Sequence, residues 1–325
     1  MKFEYGAISV LGCVVATLVG LNIMMPPDNR TALPDAPFDM VTAAGPHAPS
    51  FDASGKQTVR HHASADSLWN AYRRMNYDFK EVLEKGAPVP RISLPKLPAD
   101  LDSIAEIDKR KAIFFKTVLP LVLKVNEQIR ADRRRLWQIR YRQKTGMSLS
   151  PVDRLWLSVA SERYKVKSAD LKTLFTRIDI IPPSLALAQA AEESGWGTSR
   201  FVREGNAIFG QWTFSAERGL EPREREDGKT HGVKAFDSLI ESVRAYMHNL
   251  NTHRAYRDFR KTRAALRRVG APLDGLVLAT KLERYSERGW EYVLNLRSII
   301  LGNNLRELDD ARLHGQAAPE EEPSV

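Results

Sequence analysis

The sequence has little that could hold a metal, a disulfide or a bundle of membrane-spanning helices. Its 325 residues contain one cysteine, Cys13, which excludes an internal disulfide and a thiolate cluster for zinc or iron–sulfur. His248 and His253 lie five residues apart, whereas two zinc ligands on one helix face lie at i and i+4. We therefore expect no metal site and no cofactor. A single long uncharged stretch excludes a polytopic membrane protein.

Acidic residues are in the minority. The chain has 40 Asp and Glu against 49 Lys and Arg, which gives a formal net charge of +9. Such a balance favours an anionic partner, whether nucleic acid, a membrane surface or another polymer. The basic stretches 109–144 and 254–268 contain no recognisable nucleic-acid motif, so we expect no nucleic-acid binding. Their simplest interpretation is a set of solvated helix faces.

The long uncharged stretch lies near the N-terminus. Ala7 to Met25 has 19 residues without a charge, close to the ~20 that a membrane-spanning helix needs. A cleaved signal peptide and an uncleaved anchor both fit residues 1–25. The length and the lack of a small-x-small cleavage site favour the anchor. Either way, we expect the rest of the chain to be exported.

The remainder divides into four segments by composition and periodicity. Residues 26–63 hold eight prolines or glycines and predict a flexible tether. Residues 64–150 predict a basic helical extension, in which 101–145 forms one long helix or two in series. Residues 151–305 predict a helical domain with one β-hairpin at 221–236, turning at Asp227-Gly228. Residues 306–325 predict a disordered acidic tail. The predicted fold class is therefore mainly α.

One run carries recognisable chemistry. It begins at Ile180 and reads IIPPSLALAQAAEESGWGTSRFVREGNAIFGQWTF. The prolines start a helix, and Gly195 can end it in a left-handed cap. Glu193 then lies in the last turn, where the helix dipole and an apolar wall both disfavour a second negative charge. A carboxylic acid kept protonated near neutral pH can protonate the leaving oxygen of a glycoside. Glu192 points about 100° away around the helix.

The run AQAAEESGWGTSRF followed by GNAIFGQW resembles the glucosaminidase domain of glycoside hydrolase family 73, most closely its Bax-type members. These are lysozyme-like peptidoglycan hydrolases, and the resemblance covers about residues 105–302. It implies a lysozyme-like fold and Glu193 as the catalytic acid. It also implies a second carboxylate before a hairpin glycine, matched by Glu224, although Glu226 and Asp227 compete for that assignment. A tyrosine that faces the acid is matched by Tyr285, which could equally be structural.

The resemblance also implies a substrate-binding set. Aromatic faces suited to sugar rings and amides suited to acetamido groups are supplied by residues flanking the acid: Ser194, Trp196, Asn206, Phe209, Gln211 and Trp212. The water that attacks the sugar could be activated by a second carboxylate. Alternatively, the 2-acetamido group of the substrate could assist the reaction.

The function that follows is hydrolysis of the β-1,4 bond after N-acetylglucosamine in peptidoglycan glycan strands. We expect the enzyme in the periplasm, held to the inner membrane by residues 7–25 or released after signal cleavage. Two alternatives stay open. One is a lytic transglycosylase, although Phe209-Gly210-Gln211-Trp212 stands where such enzymes have a Gly-Leu-Met-Gln-like segment. The other is a non-catalytic scaffold that binds the cell wall. The sequence does not indicate a protein partner.

Overall fold

The computed structural model describes residues 64–213, 219–220 and 232–316. The predicted anchor at residues 1–25, the tether at 26–63 and Glu224 lie outside these residues. Within them the architecture is mainly α with a small sheet, as the sequence predicts. No helix in the described residues combines the length and the hydropathy needed to cross a membrane.

The N-terminal part begins with two short helices, α1 (Ala65–Arg74) and α2 (Phe79–Lys85). The hydroxyl of Ser64 accepts from the backbone N–H of Ser67, which caps α1, and the carboxylate of Asp78 caps α2 in the same way. α2 ends at Gly86 in the left-handed conformation. The sequence predicted helix here without separating the two.

A single 38-residue helix, α3 (Ile107–Lys144), follows. Its apolar residues 113–125 are almost continuously buried, although Pro120 lies among them and cannot donate a helix hydrogen bond. Lys116 is buried on this helix, and its ammonium lies 4.6 Å from the ring centre of Trp69 on α1. Burial and cation–π contact thus fix α1 to α3.

The middle of the chain forms α4 (Pro151–Arg163), α5 (Leu171–Arg177), α6 (Pro183–Ser194) and α7 (Arg200–Gly205). α6 is the centre of the molecule. Residues 183–191 are all buried, and the helix packs against α3 on one side. A helix made of Ala and Leu can be surrounded in this way because its small side chains let neighbouring helices approach closely.

A three-stranded antiparallel sheet follows, with β1 (Trp212–Thr213), β2 (Gly219–Leu220) and β3 (Gly232–Lys234) in the order β1-β3-β2. Trp212 pairs with Val233, and Leu220 pairs with Val233 from the other side. Within the predicted hairpin at 221–236 the structure describes residues 232–236, which contain β3. The strand β2 ends just before this range at Leu220, and the predicted turn at Asp227-Gly228 lies outside the described residues. The strand β1 was not predicted, because two residues are too short to show an alternating pattern.

The C-terminal helices are α8 (Leu239–Thr252), α9 (Arg257–Arg268), α10 (Gly275–Ala279) and α11 (Trp290–Gly302). α8 packs on α3, while α10 and α11 pack on α6. One hydrophobic core includes buried residues from Ala65 to Leu313. The core is therefore continuous across the predicted segment boundary at residues 150 and 151.

A buried ionic cluster ties three of these segments together. The carboxylate of Asp179 lies 3.7 Å from a guanidinium nitrogen of Arg133 on α3, and 3.8 and 2.9 Å from nitrogens of Arg263 and Arg267 on α9. Burial raises the pKa of Asp179, but the three arginines outweigh it and hold that pKa at about 2. The cluster is charged at all ordinary pH values.

The structure differs from the predicted disordered tail over residues 306–316. Leu308, Ala311 and Leu313 are buried, and Val89 and Leu313 form a parallel bridge between distant parts of the chain. Asp309 accepts from the backbone N–H of Ser184 at the start of α6. The prediction of disorder rested on the acidic composition of the tail, which does not show that its apolar residues are buried. The prediction is therefore wrong for this stretch. Residues 317–325 lie outside the described part of the chain.

Candidate active site

The site is built around the C-terminal end of α6. Gly195 has φ +56° and ends the helix in a left-handed cap, as predicted. Trp196 also has a positive φ, of 59°. The hydroxyl of Ser194 donates to the carbonyl of Ala190 and accepts from the backbone N–H of Gly197 at 2.8 Å. These bonds turn the chain sharply and leave Glu193 projecting from the last turn.

The carboxyl group of Glu193 receives a hydrogen bond from the hydroxyl of Tyr292, which donates to Oε1 at 2.7 Å. Tyr292 in turn accepts from Nε2 of Gln189 at 2.9 Å. Oε1 of Gln189 accepts from the hydroxyl of Tyr246 at 2.7 Å. Gln189, Tyr246 and Tyr292 are each 0% exposed, so this chain runs from the core to the carboxyl group.

Aromatic rings enclose the chain on both sides. Tyr285 stacks on Tyr292 with ring centres 5.5 Å apart and an angle of 2° between the planes. Phe209 stacks on Tyr246 at 3.8 Å. Tyr256 lies 5.7 Å from the ring of Tyr285. Such a wall holds the hydroxyl groups of α8 and α11 in fixed positions.

This environment determines the charge of Glu193. Burial raises its pKa, which is the largest effect, while the hydrogen bond from Tyr292 lowers it and the neighbouring Glu192 raises it. The net pKa lies above the usual range of a glutamate. Glu192 does not share the aromatic wall: it forms an ion pair with Arg288, as expected for a side chain that points elsewhere around the helix. The carboxyl group of Glu193 can therefore act as a proton donor closer to neutral pH than an exposed glutamate could.

A turn after α7 forms the opposite side of the carboxyl group. Asn206 ends α7 with φ +53°, and its Nδ2 donates to the carbonyl of Phe236 at 2.9 Å. Gly210 has φ +55°, and a Cβ atom added there would lie 3.7 Å from Oε2 of Glu193. The backbone of Gly210 therefore passes close to the second carboxyl oxygen, where a larger side chain would crowd the acid.

The structure brings together some of the predicted site residues. Glu193 and Tyr285 share the aromatic enclosure, and the hydroxyl of Tyr285 donates to the carbonyl of Phe209 at 3.4 Å. Gln211 is half-buried beside Gly210. Trp212 is placed by its backbone pairing in β1, and its side chain lies outside the described atoms. Glu224 lies outside the described residues altogether.

Three predicted substrate contacts are placed differently from the expectation, and a fourth, Trp196, packs partly against α3. Ser194, Asn206 and Phe209 are 0%, 2% and 1% exposed, so their side chains shape the site from beneath its surface. Trp196 packs edge-on against Phe115 of α3, with ring centres 5.3 Å apart. Ser194, Asn206 and Phe209 act by packing, because a buried side chain offers no face to a sugar ring, whereas Trp196 is partly exposed.

Sequence reasoning missed Gln189, Tyr246 and Tyr292. Gln189 had a usable signal, since it lies four residues before Glu193 and so on the same helix face. Tyr246 and Tyr292 had none, because they approach from α8 and α11, far along the chain. Among the described residues, no group of three or more His, Cys, Asp or Glu side chains could hold a metal ion.

A cavity that Glu193 does not line lies on the side of α8 that faces α3 and α4. It has a volume of about 580 Å³ and lies between α3, the end of α4 and α8. Its lining includes Asp132, Arg163, Arg244 and His248. Met247 of α8 lines this cavity, whereas Tyr246 and Glu193 do not. It is therefore separate from the site described above.

Comparison with known proteins gives three matches. Residues 169–305 match the family model described as "Glucosaminidase: Mannosyl-glycoprotein endo-beta-N-acetylglucosaminidase". "Protein bax" of Escherichia coli (strain K12) is 39% identical over 189 residues, which is 56% of this chain and 66% of that protein's length. The catalytic domain of the autolysin Auto from Listeria monocytogenes matches with a TM-score of 0.30 and 19% identity, covering 53% of this chain and 96% of that domain.

Proposed function

We propose that this protein hydrolyses the β-1,4 bond after N-acetylglucosamine in peptidoglycan, with Glu193 as the general acid, because residues 169–305 match the glucosaminidase family model and the chain is 39% identical to a relative over 189 residues. The observation that carries the proposal is the placement of the Glu193 carboxyl group. It is half-buried at a helix end, hydrogen-bonded to Tyr292 and raised in pKa chiefly by burial. These are the properties of a carboxyl group that delivers a proton at mild pH.

The proposed reaction uses that proton directly. Glu193 gives its proton to the glycosidic oxygen as the bond between this oxygen and C1 of N-acetylglucosamine breaks. Water adds to C1 and gives one proton to the assisting carboxylate or back to Glu193, so the products are a reducing end on N-acetylglucosamine and a free hydroxyl on the other sugar. The attack on C1 is assisted either by a second carboxylate, for which Glu224 is the candidate, or by the 2-acetamido group of the substrate.

The choice of peptidoglycan as the substrate rests on the motif around Glu193 and on charge. The run AAEESGWG resembles that of cell-wall hydrolases, and the net charge of +9 suits a polymer with carboxylate side groups. We further propose that the protein works in the periplasm, tethered to the inner membrane by residues 7–25. The uncharged length of that segment supports the tether.

The test compares three proteins that lack residues 1–26: the otherwise unchanged chain, Glu193→Gln and Glu192→Gln. Each is incubated with purified sacculi, and the released fragments are reduced with borohydride and analysed by mass spectrometry. We expect reduced N-acetylglucosamine ends from the unchanged chain, a loss of about 10²-fold or more in Glu193→Gln, and little change in Glu192→Gln. The last variant is a matched control because Glu192 adjoins the acid on the same helix.

Other outcomes would reassign the function. Anhydro-muramyl ends would identify a lytic transglycosylase. Binding to sacculi without release of fragments, equal in all three proteins, would favour a non-catalytic wall-binding scaffold. Release that persists unchanged in Glu193→Gln would remove Glu193 from the role of the acid.

A further inference from the structure

The proton of a carboxylic acid can reside on either oxygen, and only one of the two oxygens of Glu193 faces the exposed side of the site. Oε1 faces Tyr292, which is fully buried. Oε2 faces Gly210, which is partly exposed and adjoins the half-buried Gln211. A proton on Oε1 would point into the core, whereas a proton on Oε2 would point toward the surface that a glycan can reach.

The hydrogen-bond chain behind Glu193 distinguishes these two oxygens. The hydroxyl of Tyr292 has one proton to donate. Because this oxygen already accepts from Nε2 of Gln189 at 2.9 Å, its own proton is directed to Oε1 of Glu193 at 2.7 Å. A second proton on Oε1 would meet the proton of Tyr292 head-on. The acid therefore keeps its proton on Oε2.

The direction of the chain is set one step further back. An amide side chain could turn over and exchange its donor and acceptor, which would reverse the bond to Tyr292. Oε1 of Gln189 accepts from the hydroxyl of Tyr246 at 2.7 Å. The ring of Tyr246 is 0% exposed and is stacked on Phe209, so this donor cannot swing away. In this arrangement Tyr246 donates to the amide oxygen of Gln189, which leaves the amide nitrogen facing Tyr292.

From this geometry we infer that Gln189 and Tyr246 are positioning residues, which hold the hydroxyl of Tyr292 toward Oε1 of Glu193 and so place the acidic proton on Oε2, beside Gly210. This inference deepens the proposed function and rests on it for its catalytic meaning. The placement of the proton is a property of the resting protein and can be measured without any substrate.

The bond from Gln189 also strengthens the bond that follows it. A donor to the Tyr292 oxygen makes this hydroxyl a better donor to Glu193, because hydrogen bonds in a chain polarise one another. The bond from Gln189 lowers the pKa of Tyr292, although burial raises that pKa far more. Loss of Gln189 should therefore weaken the hold of Tyr292 on the Glu193 carboxylate and raise the pKa of Glu193.

The experiment is an infrared pH titration of the full chain in detergent. The band of the protonated Glu193 carboxyl group is obtained by subtracting the spectrum of Glu193→Gln. The variants are Tyr292→Phe, Gln189→Met, the double variant with both changes, and Tyr246→Phe. Tyr72→Phe is the matched control, because Tyr72 is also 0% exposed and its hydroxyl shares a 2.7 Å hydrogen bond with Thr117 far from the acid.

We expect Tyr292→Phe to raise the pKa of Glu193 by about one to two pH units, the effect of one hydrogen bond to a charged group. Gln189→Met should raise it by about a few tenths of a unit, and Tyr246→Phe by no more than that. The double variant should match Tyr292→Phe alone, because Gln189 then has no hydroxyl to orient. The control should leave the pKa unchanged.

The carbonyl frequency reports which oxygen carries the proton. If Oε1 is the carbonyl oxygen and accepts from Tyr292, its stretching band moves to higher wavenumber in Tyr292→Phe. A band that stays in place, or additive pKa changes in the double variant, would overturn the inference. A protein with this spectroscopic behaviour that leaves sacculi intact would instead refute the proposed function and leave the placement of the proton standing.

Discussion

Asp309 joins the beginnings of two helices. Its carboxylate accepts from the backbone N–H and the hydroxyl of Ser184 in α6, both at 2.9 Å, and from the N–H of Gly275 in α10 at 3.0 Å. Burial raises the pKa of this carboxyl from 3.8 to about 6, and the hydrogen bonds only partly offset that rise. The folded protein therefore binds this proton more tightly than the unfolded chain does.

Because the folded protein binds this proton more tightly, the free energy of unfolding depends on pH. The stability that Asp309 contributes is fully present below pH 3.8 and is lost as the pH rises through about 6. The pKa of Asp309 is 3.8 in the unfolded chain and about 6 in the folded protein. At ~1.4 kcal/mol per pH unit, this difference corresponds to a total loss of about 3 kcal/mol in the free energy of unfolding as the pH rises. Of this loss in the free energy of unfolding, about 2 kcal/mol falls between about pH 4 and pH 7.

Asp309→Asn isolates this contribution, because asparagine has nearly the shape of the protonated aspartic acid and does not titrate. We expect the free energy of unfolding of the native chain, minus that of the variant, to fall by about 2 kcal/mol from pH 4 to pH 7. Urea unfolding followed by tryptophan fluorescence measures this difference at each pH. Asp310→Asn is the control, since Asp310 is the exposed neighbour.

A difference that stays constant across this pH range would refute the reasoning. It would mean that the N–H groups at the two helix ends stabilise the carboxylate fully and that burial carries no net penalty. A difference that rises with pH would mean that the carboxylate is the favoured form in the folded state.

Three further changes have defined outcomes. Gly275→Ala places a Cβ atom 2.0 Å from the hydroxyl oxygen of Ser184, so we expect thermal unfolding to show a loss of about 1–3 kcal/mol; unchanged stability would show that α10 moves aside freely. Asp179→Asn leaves the fully buried Arg263 without its counter-charge, so urea unfolding should show a loss of about 3–5 kcal/mol, and a loss below 1 kcal/mol would argue against a charged cluster. Deletion of residues 317–325 should leave the melting temperature unchanged, whereas a marked decrease would show that these residues add to the core.

The sequence predicted the ends of the central helix well because local chemistry determines them. Pro183 begins α6 and Gly195 ends it, and each acts through its own backbone conformation. Glu193 could be placed in the last turn for the same reason. The position of Glu192 off the aromatic wall also followed from helical periodicity alone.

The surroundings of Glu193 could not be predicted because they come from distant parts of the chain. Tyr246 and Tyr292 reach Glu193 from α8 and α11, and nothing local to either tyrosine marks its partner. The contacts of Asp309 were hidden in the same way, since an aspartate in an acidic tail resembles a solvated residue until its partners are seen. The burial of Phe209 could not be predicted either, because the motif does not show which side of the turn is buried.

The bridge between Val89 and Leu313 has a consequence for the order of folding. It joins residues 224 positions apart in the chain, with N–H to carbonyl bonds of 2.8 Å on both sides of Val89. Contacts of such long sequence separation form late, because a large loop must close before they contribute. A chain that emerges from its N-terminus must wait for Leu313 before this closure is complete. The capping of α6 by Asp309 waits equally long, so a partly made chain lacks the contacts that hold the start of this helix.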